Sequence, residues 1–147
     1  MDKIAQRANQ SRSVRGNTFE NKVEDLLSKM KQKKRIKNFK RKPTIFEGEF
    51  RPDFVVEKND SSIVSIDSTT TARTDRLRAK QWDAYGTKLY FSKMKKKKAI
   101  AVVVVDETDT SQMEKDNFRL CKARCRLPYS ALDDTLSIKE LVDILIN

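Results

Sequence analysis

Seven consecutive residues, Ala99 to Val105 (AIAVVVV), are apolar on both alternating faces. A strand of this kind is stable only between two covering layers, so the stretch predicts a central strand with helices packed on each side of its sheet. The surrounding periodicity supplies those helices. Phe19, Val23, Leu26, Leu27 and Met30 recur at helical spacing and predict a helix over 17–31. A second helix is expected over 72–85, with Gly86 as its stop, Trp82 and Tyr85 as packing bulk, and Arg73, Leu77, Lys80 and Gln81 on one face. A third is expected over 109–124, packing through Met113, Leu120 and Cys121. The last begins at Ser137, where Glu140 completes a capping box and Leu136 with Leu141 forms a hydrophobic staple.

Strand-like runs lie between the helices, at 43–46, 54–56, 63–66 and 88–91. The resulting order is helix, strands, helix, strands, helix, helix. It predicts an α/β fold with a mixed central β-sheet flanked by helices, in a single domain spanning 1–147 whose polar residues 1–13 form a mobile basic arm or a frayed first turn.

Within that frame, Arg51 to Thr69 (RPDFVVEKNDSSIVSIDST) reads as a hairpin, with a polar turn at 58–62 and an aspartate at the outer end of each arm. Closed symmetrically about Asp60, it sets Asp53 opposite Asp67 with Cβ atoms roughly 4.5–5.5 Å apart. Carboxylates that close repel unless a cation, a shared proton or a salt bridge intervenes. Strand parity puts Ser65, Asp67 and Thr69 on one side. Glu20 is open to two readings: third-position partner of a capping box begun by Asn17, or a third carboxylate turned toward the two aspartates. Three carboxylates around one point would make an oxygen-ligand site for a hard divalent ion, expected to be Mg²⁺ with Mn²⁺ as a substitute.

The 147 residues include no histidine, which excludes Ser-His-Asp and Cys-His hydrolases, histidine-based nucleases and most catalytic zinc sites. Cys121 and Cys125, four apart on an expected helix, suit free, partly buried thiols. With no long apolar run and no apolar leader, the expectation is a cytoplasmic protein without a membrane partner.

The formal charge of +11 points to a polyanion. It is concentrated in Lys29 to Lys42, where nine of fourteen residues are Lys or Arg. Lys33, Lys34, Arg35, Lys37, Lys40 and Arg41 are therefore expected on nucleic-acid backbone, together with Arg76 and Arg78 of the second helix. Five lysines in 92–98 are equally compatible with a solvated connection and with phosphate contact.

An acid on an early helix (Glu20 in GNTFENKVEDLL), Pro52-Asp53 opening a strand (RPDFVV), and Asp67-Ser68-Thr69 ending the next (IVSIDSTTT) together resemble the PD-(D/E)XK nuclease superfamily, the fold of many restriction endonucleases. TTTARTDRLRAKQ is similar to the threonine-rich strand end and basic helix of several such enzymes. The resemblance spans about residues 15–105. It implies a restriction-endonuclease-like core and Mg²⁺-dependent hydrolysis of double-stranded DNA, with Asp53 and Asp67 as metal ligands assisted by Glu20. The superfamily's lysine is replaced by Thr69, whose hydroxyl would orient the attacking water, while Lys80 or Arg73, with Gln81 on the same face, would take over the lysine's role. One active site per chain implies a homodimer or a partner subunit for cutting two strands. The competing expectations are a decayed nuclease fold that binds DNA or RNA without cutting, a homing or junction-resolving nuclease, and an RNA-associated basic protein for which the aspartates are ordinary hairpin ends.

Overall fold

A computed structural model describes residues 3–107 and 111–147, with side chains described from Gly16 onward. Ten elements follow one another: α1 (Lys3–Gln32), β1 (Asn38–Arg41), β2 (Phe54–Glu57), β3 (Ile63–Thr69), α2 (Thr74–Leu89), a π-helical turn (Tyr90–Met94), β4 (Ala99–Val105), α3 (Gln112–Cys125), β5 (Asp134–Leu136) and α4 (Ile138–Ile146). The sheet has the order β1-β2-β3-β4-β5. Its first three strands form an antiparallel meander, and β4 and β5 add in parallel to β3. This is the expected α/β architecture with a mixed central sheet.

The alternating faces of β4 explain the layering. Val102 and Val104 pack with Phe54, Val56, Val64 and Ile66 against α1 and α4. Ala101, Val103 and Val105 pack on the other side with Leu77 and Ala84 of α2 and Cys121 and Cys125 of α3. Both faces of β4 are thus dry, and each fully buried Val contributes about 1.5–3 kcal/mol. Helix α1 buries Phe19, Val23, Leu27 and Met30, the predicted stripe. A smaller cluster, Ile45, Phe50, Val55 and Ile63, lies under the loop before β2. There Glu47 and Gly48, both at positive φ, form the centre of a tight turn between the bridged residues Ile45 and Phe50.

Several local expectations give way to packing. Helix α1 begins at Lys3, so residues 3–13 are helical and Asn17 lies inside the helix instead of capping it. The helix expected to stop at Gly86 runs on through it, and 88–91 is the end of α2 and the start of the π-turn, not a strand. Gly86 is needed for close approach: a Cβ there would lie 2.2 Å from the Phe50 ring. The strand expected over 43–46 is an isolated bridge at Ile45, and the meander's first strand lies earlier, inside the basic run.

Met113 and Leu120 face solvent, leaving Cys121 and Cys125 to pack α3. The expected start of α3 at Asp109 lies outside the described residues. Short β5, unanticipated from its sequence Asp-Thr-Leu, is anchored by Asp133, whose carboxylate accepts from the Ala101 N–H at 2.8 Å and from Lys88 at 3.0 Å. At the last helix, Ser137 and Glu140 form the predicted capping box, with Leu136 and Leu141 buried beside it.

Candidate active site

The hairpin closes in the expected register. Phe54 pairs with Ile66, Val55 with Ser65, Val56 with Val64 and Glu57 with Ile63. Continued by one residue, the same register sets Asp53 opposite Asp67. The two aspartates are tied reciprocally across the strands. The Asp53 N–H donates to Asp67 Oδ1 at 3.2 Å. The Ser68 N–H and hydroxyl donate to Asp53 Oδ2 at 2.8 and 3.0 Å. Each carboxylate is therefore oriented by backbone as well as by its own rotamer.

Asp67 is 2% exposed, whereas Asp53 is half-buried. Burial pushes the Asp67 carboxyl up to about 7, opposed by the Lys80 ammonium and reinforced by the negative charges of Asp53 and Asp83. Lys80 reaches it from α2, with Nζ 3.6 Å from Asp67 Oδ1. The approach follows from topology: Asp67 pairs with Val103, so it shares the sheet face that α2 covers. Asp83, one turn beyond Lys80, accepts from the Arg51 N–H at 3.0 Å. Its i+3 spacing from Lys80 is the sequence signal for this third acid.

The other expected members are elsewhere. Glu20 ion-pairs with Arg41 and, at 3.6 Å, with Lys42. It belongs to α1, on the sheet face opposite the one Asp67 shares with α2. Thr69 donates its hydroxyl to the Thr71 carbonyl at 3.0 Å and accepts from the Thr71 N–H at 3.4 Å, closing a turn at the end of β3. Gln81 holds the loop after α3, accepting from the Ala131 N–H at 2.7 Å and donating to Ser130 at 3.0 Å. Arg73 sits at the start of α2, paired with Asp75 at 3.2 Å. Of the seven residues expected to carry the chemistry, three stand together: Asp53, Asp67 and Lys80.

Among the described residues no group of three or more His, Cys, Asp or Glu is arranged to hold a metal ion. The three-carboxylate cage with Glu20 is thus not formed. The remaining donor set, two fixed carboxylates with one of them buried beside a single cation, fits a hard ion of the magnesium type, which takes one or two carboxylates and keeps its other positions for water and phosphate.

The basic residues divide likewise. Lys33, Lys34, Arg35, Lys37 and Lys40 are exposed, as are Arg76 and Arg78 on α2. Arg41 is tied to Glu20, Glu24 and Asn21, with the Asn21 bond at 2.7 Å, and so fastens β1 to α1. The turn 33–37 meets the hairpin tip, since the Lys37 N–H donates to the Glu57 carbonyl at 2.9 Å and Asn59 donates to the Lys34 carbonyl at 3.0 Å. That is the end of β2 away from Asp53, roughly 13 Å along the strand at ~3.3 Å per residue.

Cys121 and Cys125 are buried free thiols, and burial pushes Cys121 up to about 11. No helix among the described residues is long and apolar enough to cross a membrane. No family model, no curated protein and no solved structure matches the chain, so the site has to be read from its own geometry.

Proposed function

We propose that the chain is a divalent-metal-dependent endonuclease that hydrolyses phosphodiester bonds of DNA, with a restriction-endonuclease-like core. The observation that carries this reading is the placement of Lys80 Nζ 3.6 Å from Asp67 Oδ1, with Asp67 facing Asp53 across the hairpin. A cation delivered from α2 to Asp67 supports the reading that Lys80 takes over the role of the lysine that Thr69 replaces. The chain order also supports it: a helix, an antiparallel three-stranded meander, a crossover helix and a parallel strand, with the aspartates at the start of β2 and the end of β3.

Asp53 and Asp67 would hold Mg²⁺ or Mn²⁺, which when bound supplies Lewis acidity and lowers the pKa of water. The Ser68 and Asp53 N–H groups fix the two carboxylates, so little reorganisation is needed as negative charge builds on the phosphate. Lys80 donates hydrogen bonds to the attacking water or to a non-bridging phosphate oxygen and neutralises part of the developing charge. Exposed Arg76 and Arg78, on the same helix as Lys80, give the DNA backbone cationic contacts.

Cutting two strands calls for two sites, and the solvent face of α3 is suited to a second copy. Met113 and Leu120 are exposed there. Antiparallel pairing of two such helices about Leu120 sets Leu120 against its own copy and Asp116 opposite Arg124, a self-complementary arrangement of apolar and charged groups.

The test is cleavage of supercoiled plasmid in Mg²⁺ or Mn²⁺ by the wild type and by Asp53→Ala and Asp67→Ala. The wild type should nick or linearise the plasmid and both variants should be inert. The second reading, a nucleic-acid-binding protein with a decayed site, is favoured by the engagement of Thr69 with Thr71 and of Glu20 with Arg41. DNA binding without cleavage in either metal would establish it.

A further inference from the structure

Six aromatic side chains form a continuous ridge where α2 and the π-turn meet the loop before β2. Tyr85 stacks on Trp82 with centroids 6.4 Å apart and planes at 29°. Trp82 leans on Phe50 at 5.1 Å, Phe50 meets Phe46 at 5.8 Å, Phe46 meets Tyr90 at 5.4 Å and Tyr90 meets Phe91 at 5.0 Å. The ridge is rooted, because Phe50 is buried in the notch left by Gly86. Its crest is open: Trp82 is 56% exposed, Tyr85 54% and Phe46 38%. Expected as packing bulk, Trp82 and Tyr85 instead hold apolar faces in water. A contiguous exposed group of this kind marks a binding surface, unlike isolated surface apolar residues.

The surroundings define the ligand. At the Tyr90 end the ridge borders a groove of about 470 Å³ between β1 and the π-turn, lined by Lys40, Lys95 and Lys97. Lys95 Nζ lies 5.5 Å from the Tyr90 ring centroid, and Lys97 pairs with Glu57. At the other end, Trp82 is two residues beyond Lys80 and Phe50 three residues before Asp53. Flat aromatic faces running into a cation-lined groove, on a chain of net charge +11, match a string of bases joined by phosphates. Duplex bases are stacked on one another and cannot reach such faces; unpaired bases can.

We propose that this ridge binds unpaired nucleotides, with bases on the Trp82 and Tyr85 faces and phosphates on Lys40 and Lys95. Resting on the nuclease reading for its context, the proposal defines the substrate class as DNA with a single-stranded segment next to the scissile region, such as a flap, a bubble or a frayed end.

Trp82 is the only tryptophan, so its fluorescence reports on this surface alone. In EDTA, where cleavage plays no part, an oligo-dT of twelve nucleotides should quench it saturably, and a blunt, capped hairpin duplex of the same charge should not. Trp82→Phe, followed by fluorescence anisotropy of labelled oligo-dT, should keep most of the affinity. Tyr85→Ala and Lys95→Ala should each weaken oligo-dT binding roughly tenfold while leaving duplex binding unchanged. Equal quenching by duplex, no quenching by oligo-dT, or unchanged affinity in Tyr85→Ala and Lys95→Ala would overturn the proposal. Melting temperatures within 2 °C of the wild type, an ~2 °C criterion set by the small effect of exposed substitutions, identify variants that are folded. Cleavage of fully paired plasmid with no oligo-dT quenching would leave the nuclease standing without this site; quenching without cleavage in any metal would do the reverse.

Discussion

Lys80 Nζ lies 3.6 Å from Asp67 Oδ1, and this ion pair joins α2 to the end of β3 at a carboxylate that is 2% exposed. A buried carboxylate with one cation at salt-bridge distance and another carboxylate facing it is incompletely neutralised. It is held in a state that a second cation would improve.

The first consequence concerns which residue substitutes for the missing lysine. Lys80→Ala should lower the cleavage rate at saturating metal by at least tenfold, about 1.4 kcal/mol of barrier. Thr69→Ala should act mainly through the turn at Thr71 and lower the rate less. Single-turnover cleavage of a labelled substrate compares them, and equal rates for Lys80→Ala and wild type would remove Lys80 from the chemistry.

A pH dependence follows from Asp67. Its folded-state pKa of about 7 stands above the ordinary 3.8, so the folded chain holds a proton that the unfolded chain loses. Stability is therefore greatest from this group below about pH 4 and declines as pH rises to about 7, then stays level. In EDTA, Asp67→Asn should flatten that slope and stabilise the protein at pH 8 by on the order of a few kcal/mol at most. Urea midpoints at pH 5 and pH 8 measure it. Millimolar Mg²⁺ should raise the pH 8 midpoint of wild type and leave that of Asp67→Asn unchanged.

Glu20 is predicted to be structural. Glu20→Ala leaves Arg41 without its main partner, at a cost of about 1–3 kcal/mol in chemical denaturation. The Mg²⁺ concentration giving half-maximal cleavage should not move. A large increase in that concentration would instead return Glu20 to the role of metal ligand.

At Gly86 the expected defect is overpacking. Gly86→Ala sets a methyl 2.2 Å from the Phe50 ring and must displace it. A loss of about 1–3 kcal/mol is expected, with a changed Trp82 emission because Trp82 rests on Phe50.

The α3 pairing makes a reciprocal prediction. Asp116→Arg or Arg124→Asp alone should weaken self-association in sedimentation equilibrium, since each places like charges opposite one another. The double variant should restore it, because 116 and 124 exchange roles across the two-fold axis. Failure of the double variant to recover would rule out this pairing.

Much of the hairpin and the core was legible in the residues themselves. Strand pairing across a five-residue turn is local, and a period of two leaves few registers that bury both Phe54 and Ile66. The two apolar faces of β4 dictated two covering layers, and the Ser137–Glu140 box marked its helix start without help from anything distant. Other features depended on what arrived from far along the chain. Gly86 reads as a stop until the Phe50 ring is seen to need its space, and Trp82 reads as core until the loop before β2 takes the place beneath it.

The site divides along the same line. Sequence alone determined that Asp53 faces Asp67, because both lie on one local hairpin whose parity admits little else. Which cation meets that pair, and whether Glu20 joins it, was decided only by tertiary structure. Helix α2 crosses the face of β3 that carries Asp67 and delivers Lys80, whereas α1 packs on the opposite face and gives Glu20 to Arg41. Side-chain charge acts over a few ångströms through space, and spacing along the chain does not encode which layer a helix will cover.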